Sequence, residues 1–263
     1  MIVIQTGFNP ATPLTHSRIG MNNIGRTGTV SASSAETGFP AAAANNPLTY
    51  EFWRATSLPA WWKIDAGIST SVNYVGIASH TLSDSTATVS VQYSTNNSTW
   101  TTIDSLTPTD NSPIMFLFAP VSARYWRIYI TAATIPSVGV VYIGTTLDMQ
   151  RACYSGLSPI DMSRNTVVRT NVSEGGQWLG RTIIRQGNNM SVGFRHLDYD
   201  WYKNNFDPFA VDALSYPFFF AWRPDGYPET VGYVWTSGDI APSTMSIRDL
   251  VQVSFDMTGI GNE

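Results

Sequence analysis

The stretch Ala123-Arg124-Tyr125-Trp126-Arg127-Ile128-Tyr129-Ile130 decides the fold class, because its hydrophobic side chains alternate with polar or amphipathic ones. Trp126, Ile128 and Ile130 fall on one face of an extended strand, and the side chains between them fall on the other. A period of two is typical of a strand with one buried face and one exposed face. The stretch therefore predicts a strand of an all-β domain and not a helix.

Similar strand-like runs lie on the amino-terminal side of this stretch. Residues 72–78 read as a mostly buried strand, and residues 89–93 alternate with a period of two. Turn-forming residues at 94–98 and 107–112 separate the runs at intervals that are typical of a β-sandwich or jelly roll.

The carboxy-terminal half continues the strand pattern and adds one helix. Strands are predicted near residues 167–171, 181–185, 190–194, 218–222, 231–235 and 250–257. The helix is predicted from Asp198 to Ser215, interrupted by Pro208, and Asp198 is suited to cap its amino terminus. We divide the chain into an N-terminal strand segment (1–24), a first β domain (25–150) and a second β domain (151–263).

Composition excludes several classes of function. The chain has 263 residues, a formal net charge of −4 and no basic cluster, which argues against binding to nucleic acid through phosphates. The single cysteine, Cys153, excludes an internal disulfide and a cysteine-based zinc site. The sequence shows neither a signal peptide nor an apolar run long enough to span a membrane. We therefore expect a protein that is made in the cytoplasm and is neither secreted nor inserted into a membrane.

Five short motifs follow one another in the first β domain. They are Thr29 to Ser34, Trp61 to Gly67, Val75 to Ile77, Gln92 to Ser94 with Trp100 after it, and Ala123 to Ile128. In this order and spacing, the region resembles the discoidin (coagulation-factor C-type, galactose-binding-like) domain. The resemblance implies a jelly-roll β-sandwich that binds through loops at one end, often to sugars or lipid head groups.

The loop of residues 45–54 is the candidate contact site that this resemblance implies. Tyr50 and Trp53 could stack on a sugar ring, while Asn46, Arg54 or His80 could bond its hydroxyl groups. Two alternatives stay open, namely that Trp53 packs under the loop as a lid on the core, or that the loop contacts a protein. Discoidin-like domains can hold calcium through main-chain carbonyls, but no carboxylate cluster supports it here, so neither a metal nor a cofactor is predicted.

The second β domain carries a different set of motifs. They are Ser173 to Gly176, Leu179 to Thr182 with Arg185, Pro217 to Pro224, and Val231 to Trp235. With the helix and the closing strand, they resemble the ring-forming β-sandwich of siphophage distal-tail and tail-tip proteins. The resemblance implies a tail-ring β-sandwich with one helix, assembling as a ring, with a hexamer expected. Residues 1–24 could belong to this ring domain.

Phe218-Phe219-Phe220 places apolar side chains on both faces of one strand. Both faces must then be covered, either between two layers of the same chain or at an interface between subunits. The sequence leaves both readings open.

No catalytic arrangement is recognisable, so no catalytic residue is predicted and the chain is not expected to be an enzyme. The three histidines, His16, His80 and His196, lie in separate segments without metal-ligand spacing. Of the acidic residues between 198 and 212, Asp198 is expected to cap the helix and the others to lie on its solvent-exposed face.

The leading hypothesis is a structural virion protein at the tail tip or baseplate of a long-tailed phage. Its partners would be copies of itself, other tail proteins (tail tube, hub and fibres) and a host-surface glycan. One alternative is a free carbohydrate-binding adhesin or lectin. A second alternative is a virion-associated polysaccharide depolymerase.

Overall fold

A computed structural model describes residues 1–154, 156–245 and 249–260. Residue 155, residues 246–248 and residues 261–263, all within the second domain as delimited from the sequence (151–263), lie outside the described residues. Ten strands lie between residues 1 and 148: β1 (Ile2–Ile4), β2 (Arg18–Gly20), β3 (Thr29–Ala32), β4 (Trp53–Arg54), β5 (Ala60–His80), β6 (Thr88–Ser94), β7 (Thr101–Leu106), β8 (Ile114–Thr131), β9 (Ser137–Gly144) and β10 (Leu147–Asp148).

Seven further strands and one helical segment make up the rest of the described chain. The strands are β11 (Val167–Val172), β12 (Trp178–Arg185), β13 (Gly187–Asp198), β14 (Phe218–Ala221), β15 (Val231–Thr236), β16 (Pro242–Thr244) and β17 (Leu250–Ile260). The helical segment consists of α1 (Tyr199–Trp201), a π-helical turn (Tyr202–Phe206) and α2 (Asp207–Asp212). The all-β fold class with one helix is therefore confirmed. None of the helices described here is long and apolar enough to cross a membrane.

The first sheet has eight strands in the order β4-β9-β5-β8-β6-β7, with β1 beside β8 and β3 beside β5. β5 and β8 are long, and their pairing shifts register between Asp65 and Thr70. At this point the sheet folds back on itself. One layer contains β3, the first part of β5, the last part of β8, β6 and β7, and the other contains β1, the remaining parts of β5 and β8, β9 and β4.

The core between these two layers contains the inward side chains that the alternation predicts. Trp126, Ile128 and Ile130 are buried, as are Trp62 and Ile64 on the neighbouring strand. The Trp126 ring stacks on Phe118 and tilts against Tyr93, so the two layers interlock through aromatic contacts. The β-sandwich expected for the first domain is confirmed.

The second sheet has seven strands in the order β10-β2-β14-β15-β17-β13, with β16 beside β17, and all its pairings are antiparallel. The N-terminal segment contributes to both sheets, because β1 pairs with β8 in the first sheet and β2 pairs with β14 in the second. β10, which ends at Asp148, also belongs to the second sheet. Strands from both ends of the first domain thus lead into the second sheet.

The helical segment covers one face of the second sheet. Phe206 and Phe209 pack against Phe218 and Phe255 of the sheet. Asp198 caps the helix as expected, since its carboxylate accepts a hydrogen bond from the Trp201 amide at 3.0 Å.

The expected interruption at Pro208 takes the form of a wide turn inside a continuous helical segment. Proline lacks an amide hydrogen, and its ring collides with the carbonyl four residues earlier in an ordinary α-helix. Immediately before Pro208 the chain adopts the π-helical turn, in which the Asp207 amide bonds to the carbonyl of Tyr202. The wider turn allows the helical segment to continue through Pro208 without this collision.

The other face of the second sheet packs on the first domain. Phe219 and Tyr233 from this sheet meet Tyr74, Met115 and Tyr142 from the layer that contains β9. We call that layer of the first domain the proximal layer and the opposite one the distal layer. All three phenylalanines of β14 are fully buried within one chain, so the strand lies between two layers and is not an interface between subunits.

Gly76 on β5 makes this packing geometrically feasible. A β-carbon at position 76 would lie 2.5 Å from the ring of Phe219, closer than any real contact of this kind. Phe219 also makes an edge contact with Tyr142 at a centroid distance of 5.6 Å. The missing side chain of Gly76 therefore provides the space that the Phe219 ring fills.

We expect Gly76→Ala to lower the free energy of unfolding by about 1–3 kcal/mol, because the added methyl group overpacks the contact with Phe219. In a Phe219→Ala background the same change should cost much less, since the ring is gone. Urea denaturation of the four proteins of this double-mutant cycle measures the coupling. Gly226→Ala is the matched control, because a β-carbon there meets nothing within 4 Å. Equal costs in both backgrounds would contradict this packing.

Candidate functional site

The candidate loop of the first domain, residues 45–54, is held in place by polar contacts along its length. Asn46 donates to the Glu51 carboxylate at 2.6 Å and accepts from the Leu48 amide at 2.9 Å. The carbonyl of Thr49 accepts from the Ser79 hydroxyl at 2.7 Å. These bonds fix the loop on the end of β5, and they occupy the Asn46 side chain.

The second domain fixes the same loop from the other side. The Tyr233 hydroxyl donates to the carbonyl of Pro47 at 2.9 Å. Tyr233 is itself buried in the layer between the domains, against Tyr142 and Phe219. Burial raises the pKa of Tyr233 well above its ordinary value, so the hydroxyl stays protonated and remains a donor. The second domain therefore helps to determine the shape of this loop.

Two of the five residues singled out in the sequence lie in the interior. Trp53 is 2 % exposed and its indole nitrogen donates to the carbonyl of Ser34 at 2.9 Å. His80 is 4 % exposed and its Nε2 atom lies 3.1 Å from the Ser112 carbonyl. Trp53 thus packs under the loop against the core, which is one of the two alternatives that the sequence leaves open.

Of the other three residues, Asn46 is engaged within the loop as described above, and Tyr50 and Arg54 remain at the surface. Tyr50 is 71 % exposed. Arg54 lies over the ring of Phe39 at 5.3 Å and approaches the Glu36 carboxylate at 3.6 Å. The structure therefore does not bring the five candidates together into one cluster, and it leaves the ring of Tyr50 as the contact surface of the loop.

A cleft of about 880 Å³ lies beside this loop, between the two domains. On the first domain it is lined by Thr49, Phe52, Asp84 and Asn111, and on the second by Ile183 and neighbouring side chains. The Asn111 amide donates to the Asp84 carboxylate at 2.9 Å, so the polar wall is ordered. The Asp84 carboxylate and the Asn111 amide can bond sugar hydroxyls, and the ring of Phe52 can contact the sugar ring.

Of the five candidates, His80 lines this cleft. Sequence patterns did not predict the cleft as a whole, because its two walls come from distant parts of the chain. Asp84 and Asn111 lie in turns that read only as links between strands, and Ile183 belongs to the other domain. The one available signal was the turn-forming composition at residues 107–112. No group of three or more His, Cys, Asp or Glu side chains that could hold a metal ion occurs among residues 1–154, 156–245 and 249–260.

The comparisons with known proteins concern the first domain. Residues 29–140 match the family model described as the F5/8 type C domain, which is less than half of the chain. A search of the curated proteins found no match.

Similar solved structures also cover less than half of this chain. Chitosan-binding module 1 of a chitosanase/glucanase from Paenibacillus sp. IK-5 is 23 % identical, with a TM-score of 0.40, over 46 % of this chain and 96 % of the module. A module from Clostridium perfringens, CpGH89CBM32-5, solved with GalNAc-β-1,3-galactose, is 13 % identical, with a TM-score of 0.41, over 46 % of this chain and 96 % of that one.

We expect His80 to make the fold sensitive to acid. Burial lowers the pKa of His80 to about 4, against a smaller opposing effect of the Ser112 carbonyl. In the unfolded chain the same group has a pKa near 6.5. As the pH falls, the unfolded state therefore takes up a proton at a higher pH than the folded state does. Stability should therefore drop between about pH 6.5 and pH 4, by on the order of 3 kcal/mol.

Chemical denaturation of the wild type and of His80→Gln at pH 7 and pH 4.5 tests this expectation. The variant cannot titrate in this window, so it should lose less stability on acidification than the wild type. The same pH dependence in both proteins would show that His80 is not buried in its neutral form.

The match of residues 29–140 to the F5/8 type C domain confirms the discoidin-like region that the sequence predicts.

Proposed function

We propose that the chain is a structural protein of a long-tailed phage virion, located at the tail tip or baseplate. In this proposal it assembles into a ring with other copies of itself through the second domain, and the first domain contacts a host-surface glycan or a neighbouring tail protein. Other tail proteins, namely tube, hub and fibres, are its further partners. The protein is made in the host cytoplasm and is not secreted.

The observation that carries the assembly part of this proposal is the hairpin of β11 and β12. Within the described part of the chain these two strands pair only with each other, as a separate two-stranded sheet. Its large apolar side chains are exposed: Val168, Val172, Trp178, Leu179, Ile183 and Ile184. An isolated two-stranded hairpin is marginally stable in water, and an exposed apolar patch of this kind marks a protein contact.

A second copy of this chain is the occupant that we assign to the hairpin. Hairpin strands leave two edges with unpaired backbone groups, and pairing or packing against a neighbouring subunit covers both the edges and the apolar side chains. Repetition of such a head-to-tail contact closes into a ring when the rotation allows it. Because the phenylalanine strand is buried inside the chain, the hairpin takes the interface role that the sequence left open for Phe218 to Phe220.

The glycan-contact part of the proposal is supported by the first domain. Residues 29–140 match the F5/8 type C domain, and the solved structures similar to this region include a chitosan-binding module and a module solved with a disaccharide. Exposed Tyr50 and the adjoining cleft offer an aromatic face and polar groups at the loop end. The same match also favours the second candidate, a free carbohydrate-binding protein, which differs from the first in not assembling.

Light scattering and negative-stain electron microscopy of the purified chain separate these two functions. We expect rings, because closure through one repeated contact gives a cyclic assembly. The resemblance to distal-tail proteins implies about six subunits in each ring. Trp178→Ser with Ile184→Ser should yield monomers, since the change removes apolar area from the hairpin. Ile68→Ser is the matched control, because Ile68 is equally exposed on the first domain, and it should leave the rings intact. A wild-type chain that stays monomeric at high concentration would support the free carbohydrate-binding protein instead.

A further inference from the structure

The outer face of the distal layer carries an ordered array of aromatic and cationic side chains. Trp61 and Lys63 on β5 point outward between the buried residues of that strand. On β8, Arg127 and Tyr129 occupy the corresponding outward positions. The pairing register places Trp61 opposite Tyr129 and Lys63 opposite Arg127. The turn before β7 adds Trp100, whose ring lies 3.9 Å from the Arg127 guanidinium.

Lys63 and Arg127 are two like charges on directly opposite positions of neighbouring strands, an arrangement that destabilises a sheet. Their polar partners are neutral: Lys63 donates to the Asn97 side-chain oxygen at 2.9 Å, and Arg127 Nε donates to Gln92 Oε1 at 2.7 Å. Neither side chain forms an ion pair within the described part of the chain.

The carboxylate of Asp65, two residues after Lys63 on β5, is already engaged. Asp65 accepts two hydrogen bonds from Arg124, at 2.7 and 2.9 Å. The bond from Arg124 is the largest of the effects that lower the pKa of Asp65, and the charge of Lys63 contributes the least. Once Arg124 and Asp65 are paired, the face keeps two positive charges without an anion.

Aromatic rings hold these two cations in fixed positions. The guanidinium of Arg127 lies between Trp100 and Tyr129, which is 5.2 Å away. The ammonium of Lys63 lies over Trp61 at 5.1 Å and near Tyr125 at 6.0 Å. In the described residues, the two terminal nitrogens of Arg127 donate to no protein atom. A stacked guanidinium whose two terminal nitrogens have no partner can bind a carboxylate through two parallel hydrogen bonds.

The face is also open in the fold. The proximal layer is covered by the second domain, whereas the distal layer faces away from it. Five strands at about 4.8 Å spacing give a surface of roughly 20 Å in width. Beside the cations, β6 and β7 present uncharged polar groups: Ser90 and Ser105 bond to each other, and Gln92 donates to Thr102.

We propose that this face, made of Trp61, Lys63, Trp100, Tyr125, Arg127 and Tyr129, binds an acidic polysaccharide. A hexuronate residue has the two features that the face complements: a carboxylate for the paired cations, and a pyranose ring with an apolar C–H side for the aromatic rings. The neighbouring hydroxyl and amide groups suit the sugar hydroxyls. The proposal rests on the glycan-contact role of the first domain, but it assigns that role to the sheet face and not to the loop end at Tyr50.

Isothermal titration of the full-length protein with an oligogalacturonate and with its fully methyl-esterified form tests the proposal. The two ligands share their ring geometry and differ in the carboxylate. We expect binding of the acidic form, at least about ten-fold weaker binding of the ester, and weakening as salt is raised, because the contact is charged. Equal binding of both forms would overturn the proposal.

Variants locate the contact. Lys63→Gln with Arg127→Gln should weaken binding by about ten-fold or more, and Trp100→Ala should weaken it as well. Lys203→Gln is the control, because it removes one positive charge from the helical segment of the second domain and leaves this face unchanged. Circular dichroism of each variant checks folding. Arg127→Lys keeps the positive charge but loses the two parallel donors of the guanidinium, so it should bind with intermediate affinity.

Three outcomes separate this inference from the proposed function. Loss of glycan binding in Tyr50→Ala with full binding in the Lys63 and Arg127 double variant would overturn the inference and keep the glycan role at the loop. Absence of binding to either oligosaccharide would overturn the inference, while ring formation remains a separate measurement. Tighter binding of a single-stranded DNA oligonucleotide with the same residue dependence would also overturn it, in favour of a nucleic-acid surface.

Discussion

The ring of Phe219 fills the space that Gly76 leaves on the first domain, and this contact joins the two sheets into one structure. Tyr142 and Tyr233 complete the same layer and add edge contacts around the phenylalanine. Aromatic rings bring a large apolar area with few rotatable bonds, so such a layer fixes orientation as well as adding stability. The two domains therefore share a buried core, instead of being connected by a flexible linker.

This shared core determines which surfaces of the first domain are available. The proximal layer is buried against β14 and β15, and the loop at Pro47 is tied to Tyr233. The loop end is consequently a rigid wall of the cleft between the domains. On the distal layer, the cations and aromatic rings of β5 and β8 face outward.

The second domain shows a similar division between a covered part and an open part. Its sheet packs against the helical segment on one side and, at β14 and β15, against the first domain on the other, whereas the β11–β12 hairpin carries exposed apolar side chains. Among the described residues of this domain, the hairpin brings six exposed large apolar side chains together. A binding face on the distal layer and an assembly contact on the hairpin would use different parts of the chain, and neither would block the other.

The sequence by itself determined the features that depend on neighbouring residues. The alternation at residues 123–130 predicted which side chains of β8 are buried, and Asp198 at the start of an amphipathic segment predicted the helix cap. The order of short motifs identified the discoidin-like sandwich, which the match over residues 29–140 confirms. These signals are local, because strand alternation and helix capping depend on a few consecutive residues.

Only the tertiary structure decided what covers each face. Trp53 and His80 are polar-tipped side chains in a loop and at a strand end, and sequence alone allowed both to reach a ligand; packing places them inside. The phenylalanine strand had two equally plausible coverings, and its packing against the first domain decides between them. The place of β2 in the second sheet follows from its pairing with β10 and β14. The opposition of Lys63 and Arg127 likewise follows from the register of β5 against β8. Burial and register depend on contacts between residues far apart in the chain, and the residues nearby in sequence carry no signal for them.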